Sequence, residues 1–102
     1  MTVDANSPAS ITVTKPYHTV DTNADGATDD LENIAGGVAG MIIVLQAEDN
    51  ARVTTLKHDS SSGNLRLSGA TDFALSNKDA TISLIYNGAT WCELSRSTNN
   101  GA

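Results

Sequence analysis

The densest group of metal-binding residue types lies between Asp21 and Glu32, where the spacing matches an EF-hand calcium loop. Such a loop needs side-chain oxygens at alternating positions, a glycine at the sharp turn and a final bidentate glutamate. The candidate ligands are Asp21, Asn23, Asp25, the carbonyl of Ala27, Asp29 and Glu32, with Gly26 at the turn. A calcium site is therefore one interpretation of this segment.

The surroundings of the loop favour a plain turn instead. Pro16 and the β-branched pair Thr19-Val20 oppose the helix that should precede an EF-hand loop, and Thr28 replaces its usual apolar residue. The chain has no second loop to pair with the first. The alternative is a solvated turn leading into a capped helical turn. Both interpretations stay open, and we assign no metal ligand and no cofactor from the sequence.

The other reactive residue types are too scattered to predict catalysis. His18 and His58 are far apart in the chain, and neither has the local spacing of a zinc site. Cys92 stands alone in an apolar segment, which favours a small buried residue over a nucleophile. The glycine-rich run 36–40 leads into a strand, whereas phosphate loops lead into a helix. We therefore predict no enzyme and no small-molecule substrate.

Length and charge exclude further classes of function. A chain of 102 residues is expected to form one domain with a modest core. Its formal net charge of −6 opposes binding to nucleic acid and to anionic lipid. No run approaches the roughly 20 apolar residues of a membrane span, and the N-terminus lacks a signal-peptide pattern. We expect a soluble protein that is made in the cytoplasm.

The segments that would position any site are β-rich. We predict a flexible N-terminal arm at 1–10, a single β domain at 11–97 and a flexible C-terminal tail at 98–102. The strand candidates are 11–14 with a possible extension over 17–20, 41–45, 52–58, 64–68, 80–86 and 90–96. No internal repeat of solenoid length is evident in the sequence.

One helical turn is predicted near residues 29–35. Asp29 and Glu32 have the spacing of a capping box, and Gly36-Gly37 would end the helix. The apolar run 41–45 that follows has no polar face, so this strand should be covered on both sides. Because so small a chain has little material for two layers, we expect a second subunit to supply one of them.

The last two predicted strands form the clearest local pair. Asn87-Gly88 is a strong hairpin signal and predicts an antiparallel pair with Ile82, Leu84 and Tyr86 on one face. In the final strand Cys92 and Leu94 share one face while Trp91 and Glu93 share the other. Trp91 either fills the end of the core or anchors a subunit or partner interface.

Residues 29–97 resemble modules of small structural proteins of tailed bacteriophages, which include capsid decoration proteins, head fibres and tail fibres. The resemblance is carried by the segments 29–34, 36–37, 40–47, 52–57, 63–67 and 81–86, and by the order Tyr-Asn-Gly-x-x-Trp-x-Glu-x-Ser-Arg-Ser at 86–97. It implies a homotrimer without catalytic residues. With the strand pattern, it suggests a compact all-β domain, an antiparallel β-sandwich or a β-prism-like fold.

Among these proteins the short chain best resembles a decoration protein, since a fibre also needs a shaft and an attachment region. The resemblance then implies a trimeric protein on the outer capsid surface of the virion, where it binds and stabilises the major capsid protein shell. The alternative is a receptor- or glycan-binding module of a head or tail fibre, with or without a dependence on calcium. That alternative predicts an exposed aromatic platform, for which Trp91 is the candidate.

Overall fold

A computed structural model describes residues 1–99 as a chain of ten short strands with two 3-10 turns. The strands are β1 Ser10–Thr12, β2 Tyr17–Val20, β3 Thr28–Leu31, β4 Asn33–Ala35, β5 Ile42–Ala47, β6 Val53–Leu56, β7 Leu65–Arg66, β8 Phe73–Leu75, β9 Thr81–Tyr86 and β10 Trp91–Ser97. The 3-10 turns are Asn23–Asp25 and Ser68–Ala70. The prediction of an all-β chain is confirmed.

The first six strands wind into two stacked coils. Each strand of the first coil pairs in parallel with the strand three positions later: β1 with β4, β2 with β5 and β3 with β6. Parallel strands need a long crossover, and here two further strands and their corners supply it. The sheets therefore form the three sides of a prism. The predicted antiparallel sandwich is wrong in its strand directions, and the β-prism-like alternative is nearer to the fold.

Apolar side chains of the two coils lie above one another. Ile11 is in register with Ile34, and Leu31 is in register with Leu56. All four are buried. Because the corners between the strands differ in length, the two coils have no fixed period, and the repeat is not evident in the sequence.

A third layer closes two of the three sides with antiparallel strands. β9 pairs with β5, and β8 pairs with β6. β10 pairs with β9 and, in parallel, with β7, which gives a five-stranded sheet in the order β2-β5-β9-β10-β7. The hairpin predicted at Asn87-Gly88 is confirmed, with Gly88 at φ +95°. Ile82 and Leu84 point into the core as predicted, and Tyr86 is partly buried.

Side chains close the third side, where the β1-β4 sheet has no further strand. The amide of Asn64 bonds both the N–H and the carbonyl of Ile34, each at 2.8 Å. The indole Nε1 of Trp91 donates to the same carbonyl at 3.1 Å. Trp91 is fully buried and packs on Tyr86, so it fills the core and is not an interface anchor. A side chain at Gly37 would collide with both rings.

The helical turn predicted near residues 29–35 is wrong. This segment consists of β3 and β4, separated only by Glu32. Glu32 does not cap its own chain, since its carboxylate accepts hydrogen bonds from the Ala9 N–H and the Ser60 hydroxyl. Leu31 and Ile34 are both buried in the core. In a straight strand they would point to opposite sides, but the chain turns at the corner between them.

Residues 1–10, predicted as a flexible arm, lie against the first coil in the structure. Val3 is fully buried and its N–H donates to the carbonyl of Asp21 at 3.0 Å. The Asp21 N–H donates in turn to the carbonyl of Met1 at 2.8 Å. Of the tail predicted at 98–102, residues 100–102 lie outside the described residues. No helix among residues 1–99 is long and apolar enough to cross a membrane.

Replacement of Trp91 by alanine is expected to lower the free energy of unfolding by about 3–5 kcal/mol, because it empties a buried site. It also removes the indole donor to Ile34. Urea unfolding followed by far-ultraviolet circular dichroism measures the change. The control is Ser95→Ala, an exposed position on the same strand, which should stay within about 0.5 kcal/mol of wild type. Equal effects of the two substitutions would contradict the core role of Trp91.

Candidate functional site

The structure does not gather the EF-hand-like residues around one point. Asp21 lies at the corner after β2, Asn23 and Asp25 lie in the 3-10 turn, and Asp29 lies in β3. Glu32 lies at the next corner and is bound to Ala9 and Ser60. Among residues 1–99, no three His, Cys, Asp or Glu side chains are close enough together to hold a metal ion.

The Arg52 guanidinium lies among four carboxylates that include two of the proposed calcium ligands. Its Nε is 2.7 Å from Asp21 Oδ1 and 3.8 Å from Asp25 Oδ1. Its Nη2 is 3.7 Å from Glu48 and 3.8 Å from Asp49. The density of negative charge at this corner is thus offset by a resident side-chain cation.

Asp21 is the buried member of this group. Burial alone would raise the pKa of its carboxyl, but hydrogen bonds from Arg52 and from the Thr22 N–H outweigh burial and hold the pKa below its usual range. The same contact with Asp21 raises the pKa of Arg52. Asp21 therefore remains ionised and ties β2 to the corner that precedes β6.

Glu32 has a comparable structural role at the corner between the coils. The Ser60 hydroxyl, followed by the Ala9 N–H, lowers the pKa of this carboxyl, and the charge of Lys57 adds to the effect. Residues from three layers of the prism thus meet on one carboxylate. Its oxygens accept hydrogen bonds within the chain and are not directed at an open cleft.

Both histidines accept hydrogen bonds from the backbone. Nε2 of His18 accepts from the Thr14 N–H at 3.1 Å, and Nδ1 of His58 accepts from the Leu67 N–H at 2.9 Å. His18 is buried, and burial, followed by the charge of Lys15, lowers its pKa. The two imidazoles hold loops in place.

Cys92 is partly exposed on the outer side of the five-stranded sheet, so the prediction of a buried residue is wrong. Its thiol lies 3.7 Å from the Asn87 amide nitrogen and 3.8 Å from the Thr90 hydroxyl. Neither group is a base that could generate a thiolate.

A shallow polar cleft of about 350 Å³ lies between the N-terminal segment and the corner after β2. Its acidic residues already bind backbone groups. Asp29 accepts from the Asn23 N–H at 2.8 Å, and Asp4 accepts from the Ser10 N–H at 3.0 Å. The cleft shows no arrangement of a nucleophile with a base.

The surface feature that stands apart is the outer side of the five-stranded sheet. Tyr17, Ile42 and Leu94 are 46%, 51% and 54% exposed there. Strand alternation and register place partly buried apolar residues beside them. We define the outer apolar face as Tyr17, Ile42, Val44, Ile85, Cys92 and Leu94.

The outer apolar face bears on the expectation that strand β5 is covered on both sides. Among residues 1–99 only its inner side, with Ile43 and Leu45, is buried, and its cover by a second subunit stays a prediction. The sequence signal for the face was the absence of a polar side in the run 41–45. Ile85 and then Cys92 lie beside Ile42 because β5 pairs with β9, which is distant in sequence, and β9 pairs with β10.

Comparisons of the chain with protein-family models, with curated proteins and with solved structures found no match.

Asp21→Asn is expected to lower the free energy of unfolding by about 2 kcal/mol near neutral pH, because the buried charge-assisted bond to Arg52 is lost. The lowered pKa of Asp21 implies that wild type loses this stabilisation as the pH falls from the ordinary aspartate value through the lowered one. Denaturant unfolding at several pH values tests both points. The exposed Asp79→Asn is the control and should have little effect.

Acidification is also expected to destabilise the protein through His18. Its pKa is lowered in the folded state, so the unfolded chain takes up this proton more readily. Stability should therefore fall as the pH drops below the ordinary histidine value of about 6.5 and should level off below the lowered value. His18→Gln, which keeps an acceptor for the Thr14 N–H, should remove this part of the pH dependence. An unchanged slope between about pH 8 and about pH 5 would refute the assignment.

Proposed function

We propose that this chain is a structural protein of a tailed-bacteriophage virion, in which three copies associate and bind the major capsid protein on the outer surface of the capsid. The resemblance of residues 29–97 to decoration and fibre modules supports this class of function. Within that class we favour the decoration protein, because Trp91, the expected binding platform of the alternative, is fully buried.

The main support for the proposal is that the carboxylate and histidine side chains considered as site residues form hydrogen bonds within the chain. Asp21 binds Arg52, Glu32 binds Ala9 and Ser60, and both histidines accept backbone hydrogen bonds. These groups hold corners and loops of the prism in place, as expected for a protein whose task is to keep its shape.

A decoration protein acts by binding the assembled shell. Contacts that bridge neighbouring capsid subunits add binding free energy only to the intact lattice, so they oppose its disassembly. Three linked copies raise the effective concentration of each remaining copy once the first has bound. The corners of the prism are held by side-chain hydrogen bonds within the chain. Such a protein suits this role because it loses little conformational freedom when it docks.

The alternative, a calcium-dependent receptor- or glycan-binding module, has less support. Its expected aromatic platform was Trp91, which is fully buried. Tyr17 is exposed, but its hydroxyl is bound to Gln46 at 2.7 Å. The candidate calcium ligands Asp21 and Glu32 are bound to different partners at different corners.

Capsid binding is tested with heads of the encoding phage that lack this protein. Purified protein should co-sediment with expanded heads, saturate at a fixed ratio to the major capsid protein and raise the temperature at which the heads open. A matched negative control is the unexpanded procapsid. Failure to co-sediment, with no effect on head stability, would refute the decoration role.

Light scattering with and without a chelator separates the two candidate functions. We expect a particle of three 10.6 kDa chains whose mass and melting temperature do not change with EDTA or added calcium. A mass or a melting temperature that falls with EDTA and recovers with calcium would support the calcium-dependent module instead.

A further inference from the structure

The outer apolar face extends across four adjacent strands. Ile42 of β5 pairs with Ile85 of β9, which pairs with Cys92 of β10. One row further along, Tyr17 of β2 pairs with Val44 of β5. A group of exposed apolar side chains of this kind often marks a binding surface.

The charges around the face indicate what kind of surface covers it. Ser83 lies beside Val44, and the next row of outward positions is the uncharged Thr19, Gln46 and Thr81. At the β7 edge, Arg66 is paired with Asp59 at 3.1 Å. A strongly charged partner would find no opposite charge here.

A second copy of the same chain is complementary to this face. Two copies with a net charge of −6 each repel one another unless they meet through an uncharged surface. The outer apolar face supplies such a surface on both copies at once. Association of copies would also complete the second cover that the apolar strand β5 lacks within one chain.

The size of the face limits how strongly two copies can bind through it. Four strands at about 4.8 Å spacing and about 3.3 Å per residue give the face an area on the order of 400 Å². A standard complex takes about 800 Å² from each partner. Copies that met through this face alone would therefore associate weakly, so their assembly should depend on the protein concentration.

We propose that the outer apolar face is the surface through which copies of this chain meet. The inference rests on the proposed function for the number of copies and adds the location of their contact. It leaves the other two sides of the prism free for the capsid. Cys92 then lies within the contact, which makes its thiol a built-in reporter of assembly.

Ile42→Arg and Leu94→Arg test the inference by placing a charge on the face. Both side chains are about half exposed, so the folded chain can accommodate the change. The control is Ala35→Arg, which adds the same charge at an exposed position of the two-stranded sheet. Circular dichroism and Trp91 fluorescence confirm that each variant is folded.

Light scattering and the rate of Cys92 modification by a thiol reagent give two independent readouts. We expect wild type and Ala35→Arg to have the mass of three chains and slowly reacting thiols. Ile42→Arg and Leu94→Arg should have the mass of one chain, with thiols that react several-fold faster. A wild-type monomer, or folded face variants that keep the wild-type mass and thiol rate, would overturn the inference.

Head binding separates failure of this inference from failure of the proposed function. If wild type assembles through the face but does not bind heads, the inference holds and the decoration role is wrong. If the face variants keep the wild-type mass but no longer bind heads, the face docks on the capsid and the inference is wrong.

Discussion

The fold depends on a single-residue corner at Glu32, where the chain leaves the first coil and starts the second. Its N–H donates to the carbonyl of Ala9 below, and its carbonyl accepts from the Asn64 N–H above. The side chain reaches Ala9 and Ser60 as well. Gly63 passes so close to the Glu32 carbonyl that a side chain there would collide with it. Three layers are thereby held together at one corner, next to the parallel pairs of β1 with β4 and β3 with β6.

Polar side chains in this protein substitute for missing strands and ions. Asn64 pairs with Ile34 as a neighbouring strand would, and Arg52 lies where a cation would otherwise offset a cluster of acidic groups. Each substitution satisfies a buried or crowded polar group at the edge of the sheets. Asp21 and Asp25, which lie beside Arg52, are among the residues whose types suggest a calcium site in the sequence.

The sequence predicts much of the local structure and little of the arrangement. β5, β9 and β10 follow from apolar runs and the Asn87-Gly88 turn, because hairpin pairing is local. The parallel pairs do not follow, since nothing local specifies that Ile11 lies on Ile34. The capping-box pattern at Asp29 and Glu32 was misleading because a distant residue, Ser60, takes the carboxylate that would cap a helix. The sequence indicates only one strand of the outer apolar face, β5, because the other strands are placed beside it by pairing that the sequence does not predict.

The parallel pairing of β1, β2 and β3 has a consequence for how the chain acquires its structure. None of these strands pairs with another strand of its own coil, so the first coil has no sheet until residues of the second emerge. During synthesis the strand partners of β1, β2 and β3 are therefore made only after the first coil. Loops must close across many residues before these pairs can form, and contacts between residues far apart in sequence generally slow folding. β3 carries the acidic Asp29 and Asp30, and charged side chains on an unpaired strand generally oppose its pairing with another chain.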